Sequence, residues 1–207
     1  MTGQTLIIGR WPNDRPSFAT GQNLLIATVD TKKTLNRDAA RRLVRSALCE
    51  LLGRHLGSSA ADIELVSTPG QPIRLNKAGT SIGLSVSHES DLSVLAIHLA
   101  GPIGIDLLRI SAAPVWQADI PHLARDYLGA EIAEQLAARP LGEQGIGFAE
   151  AWTSLEARLK CLNKGLQEWH PTRQRELSRC ACFHLKLPAG LVGTVAVPLA
   201  KSAGRNV

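Results

Sequence analysis

Ile82-Gly-Leu-Ser-Val-Ser-His88-Glu-Ser-Asp91-Leu-Ser-Val-Leu-Ala-Ile-His-Leu99 is the stretch that decides the fold class. Two apolar runs, 82–87 and 92–99, flank the polar turn His88-Glu89-Ser90-Asp91, and this pattern predicts an antiparallel hairpin. Ala100-Gly101-Pro102 interrupts it, and Ile103 to Leu108 predicts a new strand, with Asp106 at the point where that run should turn. Upstream, Asn36 to Leu56 reads as a helix, because Leu43, Val44, Ala47, Leu48, Leu51 and Leu52 keep the 3.6-residue period. Downstream, Phe148 to Asn163 is the strongest helical pattern, with Phe148, Trp152, Leu155, Leu159 and Leu162 on one face and Lys164-Gly165 as its cap. A second apolar hairpin, Cys182–Leu187 and Leu191–Leu199, follows it.

A long helix thus leads to an apolar hairpin twice. The expected fold is α+β: two pseudo-symmetric halves, 1–100 and 101–207, meeting near Ala100–Pro102. Each half would pack a small antiparallel sheet on a long helix, with the site at their interface. Shorter elements fill the rest. Thr5–Ile8, Leu24–Val29 and Ile63–Ser67 read as strands, and Arg10–Asn23 as a loop. Helical patterns follow Pro114 through Tyr127 and run from Glu131 to Arg139. Pro140 with Gly142, Gly145 and Gly147 predicts a loop.

Composition narrows the function classes. The chain has 207 residues, 44% hydrophobic and 20% charged, enough to bury a real core and far from a disordered composition. Lys and Arg outnumber Asp and Glu by 23 to 18, and the pI is near 9.3, which suits an anionic partner. That excess is local: Lys32 to Arg54 carries seven basic residues against Asp38 and Glu50, and Arg37, Arg41 and Arg45 form one helical stripe. No run is long and apolar enough to span a membrane, and the N-terminus lacks a signal-peptide pattern, so a cytoplasmic protein with no membrane partner is expected. Aromatic residues are only 4%, so the stacking platforms of a nucleic-acid binder are missing. The four cysteines and six histidines show no zinc spacing, and Cys49 and Cys161 read as small core residues.

Several catalytic patterns fail on inspection. Gly83-Leu-Ser85-Val-Ser87 lacks the closing glycine of a nucleophile elbow. Ser87 and His88 are consecutive, so on a strand they point to opposite faces and cannot act as a nucleophile–base pair. Gly142-x-x-Gly145-x-Gly147 has the wrong order for a dinucleotide loop. Taken singly, Glu156 and Lys160 are an i, i+4 helix pair, and Glu131 is an acid opening a helix.

Their order along the chain is more specific. Gly70-Gln71-Pro72, Ser85-Val-Ser87-His88, Gly104-Ile105-Asp106 and Trp152-Thr-Ser-Leu-Glu156-Ala-Arg-Leu-Lys160, with Lys164-Gly165-Leu166 after them, follow one another. In this order the chain resembles the 4′-phosphopantetheinyl transferases, in particular the larger single-chain type with two pseudo-symmetric halves. The resemblance departs at Gln71 and Leu155, where the family usually has Lys, at Leu108, where the larger type has Glu, and at Glu89, where it has Ser.

The resemblance implies transfer of the phosphopantetheine arm of coenzyme A to a serine of an apo acyl or peptidyl carrier protein. Adenosine 3′,5′-bisphosphate would be released, and the protein would work as a monomer on an acidic carrier. Mg²⁺ would be held by Asp106 and Glu156, with water where Leu108 stands. Coenzyme A would be bound by Arg41, Ser87, His88, Asp106 and Lys160. Glu131 would take the serine proton, and Lys160 would stabilise the leaving group. The alternative is a relative that binds coenzyme A or a carrier without transfer.

Overall fold

The computed structural model describes residues 6, 8–18, 23–34, 36–68, 71–77, 79–110 and 114–199. Strands β1 (Ile8–Trp11), β2 (Leu24–Asp30), β5 (Gly83–His88) and β6 (Leu92–His98) form one sheet in the order β1-β2-β6-β5. Strands β7 (Gly104–Arg109), β8 (Cys180–His184) and β9 (Leu191–Pro198) form a second, in the order β7-β9-β8. The short strands β3 (Leu65–Val66) and β4 (Arg74–Leu75) pair with each other. Around the sheets lie α1 (Arg37–Leu56), α2 (Pro114–Leu123), a π-turn at Ala124–Leu128, α3 (Ala130–Ala137), α4 (Leu141–Cys161) and α5 (Pro171–Leu177). No helix among the described residues is long and apolar enough to cross a membrane.

Strand alternation sorts the core into layers. Leu25, Ala27 and Val29 of β2, with Leu95 and Ile97 of β6, face α1 and pack on Val44, Leu48 and Leu52. Their neighbours Ile26, Val94 and Ala96 point the other way and share a cluster with Ile105 and Leu107 of β7 and Val195 of β9. The remaining face of the second sheet takes α4, where Ala157 and Cys161 meet Cys180 and Ala196. The helical pattern of 36–56 is therefore realised: Asn36 caps α1 by accepting the Ala39 N–H at 2.9 Å. Truncating a side chain as fully buried as Leu48 or Leu52 costs about 2–5 kcal/mol.

Six expectations are corrected. The predicted loop at 140–147 is the first two turns of α4, which begins at Leu141. Glycine is a poor helix former, but a Cβ on Gly147 would sit 2.5 Å from Arg139 Nη1 and 2.9 Å from Leu136 Cδ2, so its absence lets the end of α3 close on α4. The left-handed residue ending α4 is Asn163 (φ 53°), not Gly165, and Lys164 N–H closes on the Leu159 carbonyl at 2.8 Å. The strand expected over Ile63–Ser67 is only Leu65–Val66, and the first tail strand is Cys180–His184 rather than Cys182–Leu187. The first strand is Ile8–Trp11, running into the expected loop, and it lies parallel to β2; Thr5 and Ile7 lie outside the described residues. Asp106 is not at a turn: it is the third residue of β7, and it is buried.

Candidate functional site

Asp106 is 8% exposed and sits mid-strand, so its carboxylate needs partners from other elements. Two side chains supply them on the same oxygen. Lys160 Nζ donates to Asp106 Oδ1 at 2.7 Å, and Ser87 Oγ donates to it at 3.0 Å. Lys160 also donates to the Ile105 carbonyl at 3.1 Å, binding α4 to β7 at two consecutive residues. The glycine two positions before Asp106 makes this approach possible. A Cβ on Gly104 would lie 1.8 Å from the Ala157 carbonyl oxygen and 2.5 Å from the Cys161 nitrogen.

Glu156, one turn before Lys160 on α4, has its carboxyl pushed up, first by burial and then by the negative charge of Asp106, with Lys160 opposing both. Among the described residues no group of three or more His, Cys, Asp or Glu converges. Asp106 and Glu156 are near enough for the charge of one to raise the carboxyl of the other, and both offer only oxygen. That donor set fits Mg²⁺, which takes one or two carboxylates and fills its octahedron with water and phosphate oxygens.

The edge of β5 meets the edge of β7 through side chains. Ile105 N–H donates to Ser85 Oγ at 3.0 Å, Leu107 N–H to Ser87 Oγ at 3.2 Å, and Arg109 N–H to Glu89 Oε1 at 2.9 Å. Ser85 and Ser87 share one face of β5 and Glu89 follows it in the same alternation, so three side chains satisfy an edge of β7 that no strand covers among the described residues. Glu89 thus fills the third rung, and Arg109 further pairs with Asp91. His88, on the opposite face, is not the exposed turn residue that its place in the sequence suggests. It ends β5, is half-buried, and its Nδ1 lies 2.8 Å from Ser93 Oγ. Burial first, then the charges of Arg41, Arg37 and Lys160, holds its pKa below the ordinary histidine value.

A cleft of about 600 Å³ opens between α1, β5 and the end of α4. Arg41, His88 and Lys160 all line it, together with Gln71, Arg42, Arg45, Lys164 and Gly165, and among the described residues no carboxylate does. Its inner wall is apolar, formed in part by Val44, Leu48, Ile73 and Leu84. Of the basic stripe, Arg41 pairs with exposed Asp38 at 3.2 Å, and Arg45 donates to the Leu65 carbonyl. Lys164 is paired with Glu176.

The structure thus gathers Arg41, His88 and Lys160 at the cleft, and Asp106, Glu156 and Ser87 around the Lys160 ammonium. It does not bring Glu131 to them: Glu131 is exposed on α3, takes a 3.4 Å hydrogen bond from Gln135, and does not line the cleft. Sequence reasoning did not single out Arg42 or Asn163. Arg42 lies beside the stripe, and its place in the same basic run was the available signal. Leu108 and Leu155 both belong with one apolar cluster, alongside Leu159, Tyr127 and Trp152.

Fold and site together define an α+β protein with a cationic cleft tied through one lysine to a buried aspartate, with a half-buried glutamate beside them. No family model matches the chain. It is 26% identical over 161 residues to a protein of Synechocystis sp. whose provisional name is 4′-phosphopantetheinyl transferase. The match covers 75% of this chain and 63% of that relative, so the chain spans less than two thirds of the relative's length.

Proposed function

We propose that the chain is a 4′-phosphopantetheinyl transferase of the larger type, with pseudo-symmetric halves 1–100 and 101–207 and the site between them. The observation that carries this reading is the cleft. Among the described residues five cations, Arg41, Arg42, Arg45, Lys160 and Lys164, line it beside an apolar wall, with no carboxylate in the lining. Such a cleft suits a ligand that joins a flat base to several phosphates, as coenzyme A does.

In the proposed reaction a carrier serine oxygen attacks the diphosphate phosphorus that bears the pantetheine arm. The new O–P bond forms as the old P–O bond breaks, and adenosine 3′,5′-bisphosphate leaves. Asp106 and Glu156 are the residues that would hold Mg²⁺, which when bound neutralises charge on the non-bridging oxygens. Lys160, with two of its three N–H groups on Asp106 and Ile105, keeps the third for the cleft it lines and for the leaving phosphate. Arg41 binds the 3′-phosphate, and neutral His88 hydrogen-bonds a phosphate oxygen. The resemblance assigns the serine proton to Glu131; standing exposed on α3 and away from the cleft, it would act only on a serine that the carrier itself brings to α3. The protein is proposed to act as a cytoplasmic monomer on an acidic acyl or peptidyl carrier.

Mass spectrometry of an apo carrier protein after incubation with coenzyme A, Mg²⁺ and this protein tests the reading. A mass gain of one phosphopantetheine arm is expected, and its absence across fatty-acid, polyketide and peptide carriers overturns it. One observation favours a second reading, a relative that binds without transferring: Leu108 and Leu155 stand in the apolar cluster rather than at the carboxylates. The same assay separates the two when coenzyme A binding is measured beside it.

A further inference from the structure

We infer that Ser87 is a positioning residue that sets the orientation of the Asp106 carboxylate, and does not itself touch the ligand. The inference rests on the transferase reading only in taking Asp106 as the metal-facing carboxylate. A serine hydroxyl has one proton and two lone pairs. The Leu107 N–H can only donate, so Ser87 Oγ accepts it at 3.2 Å. Its single proton then goes to Asp106 Oδ1, 3.0 Å away.

The rotor is thereby fixed by a backbone group of the same strand that carries the acid. Lys160 donates to the same Oδ1 at 2.7 Å, and among the described residues no hydrogen bond is made to Oδ2. Ser87 and Lys160 together hold one oxygen and leave the other for a cation. Ser87 is 7% exposed and does not line the cleft, whereas Ser85 and His88 do. Any influence of Ser87 on a ligand therefore passes through Asp106. Of the three rungs joining β5 to β7, only this one ends on an acid: Ser85 and Glu89 meet backbone N–H groups alone.

Ser87→Ala and Ser87→Thr decide it, with three measurements on the intact chain. Amide exchange of Ile105 and Leu107 reads the rungs, calorimetric titration of Mg²⁺ with coenzyme A present reads the metal, and steady-state transfer reads kcat against KM. In Ser87→Ala, exchange at Leu107 should rise at least tenfold more than at Ile105, and Mg²⁺ should bind about tenfold more weakly. The kcat should fall while KM for coenzyme A changes less than twofold, and Ser87→Thr, which keeps the hydroxyl, should recover all three. Unchanged exchange at Leu107 overturns the inference. So does a raised KM with unaltered Mg²⁺ affinity, which would make Ser87 a ligand contact. If the wild type neither binds Mg²⁺ nor transfers, the transferase reading fails by itself. The Leu107 exchange and the Asp106 side-chain rotamer by NMR, compared between wild type and Ser87→Ala, then still decide whether Ser87 holds the carboxylate.

Discussion

Lys160 Nζ lies 2.7 Å from Asp106 Oδ1 across 54 residues of chain, and the same ammonium reaches the Ile105 carbonyl at 3.1 Å. One cation on α4 thus grips both the backbone and the acid of β7, and it does so at the edge of the cleft. Lys160 is a third exposed and Asp106 largely buried, so the pair is neither a loose surface bridge nor a fully desolvated one. In a double-mutant cycle, Lys160→Met and Asp106→Asn should show a coupling of about 0.5–3 kcal/mol in urea unfolding. A coupling near zero would mean that the pair does not hold α4 to β7.

Removing either carboxyl should silence transfer while the chain stays folded. Asp106→Asn and Glu156→Gln are each expected to lower kcat by at least about 10²-fold, the scale of losing one electrostatic group at a reacting phosphate. Activity within a few-fold of wild type in either variant would remove that residue from the metal pair.

Gly104→Ala should be among the most damaging single-methyl changes in the protein. The new Cβ would overlap the Ala157 carbonyl, so α4 must shift away from β7, at an overpacking cost of about 1–3 kcal/mol or more. Chemical denaturation reads the cost, and a parallel loss of transfer reads the displacement of Lys160 and Glu156 from Asp106.

Arg41→Ala should raise KM for coenzyme A by about tenfold, and KM for dephospho-coenzyme A much less, because only the former carries the 3′-phosphate. A charge-assisted hydrogen bond of about 1.5 kcal/mol gives that factor. Equal effects on both substrates would move Arg41 to a structural or carrier-binding role.

His88 should make the protein sensitive to mild acid. Burial and the charges of Arg41, Arg37 and Lys160 all depress its pKa in the folded state. Between the unfolded value near 6.5 and the lower folded value, the unfolded chain binds the extra proton. Stability from this group is therefore present above about pH 6.5 and is lost as pH falls through that window. Thermal melts should show a shallower decline for His88→Gln, and NMR titration should show the His88 pKa rising when coenzyme A fills the cleft and offsets the cations.

Leu108→Glu tests the position where a second acid would stand. Asp106 and Leu108 share a face of β7, about 6.5–7 Å apart along the strand, but Leu108 packs against the cluster that holds Leu155 and Leu159. A carboxylate there should cost about 1–3 kcal/mol without metal, and Mg²⁺ should restore part of the loss. Calorimetry should find wild-type Mg²⁺ binding weak without coenzyme A and tighter in the variant. Tight binding by the wild type alone would show that another residue fills the place.

Local order was legible in the residues themselves. The 3.6-residue period from Leu43 to Leu52 with Asn36 before it suffices for α1, and strict alternation suffices for the β5–β6 hairpin. Both signals are short-range: a helical stripe or a two-faced strand needs only its neighbours to declare itself. The ordered motifs around Ser87, Asp106 and Glu156 pointed to a site for the same reason, since each is a local string. What the local signals misjudged was context. Gly142, Gly145 and Gly147 read as a loop, yet close packing against α3 makes them helix. Asp106 read as a turn acid, because no local pattern announces that Lys160 and Ser87 will compensate a charge in mid-strand. The cleft, the side-chain ladder between β5 and β7, and the separation of Glu131 from both were decided only by the tertiary structure. Each depends on contacts between residues tens of positions apart, and such contacts are fixed when sheets and helices pack, not by the order of residues along any one element.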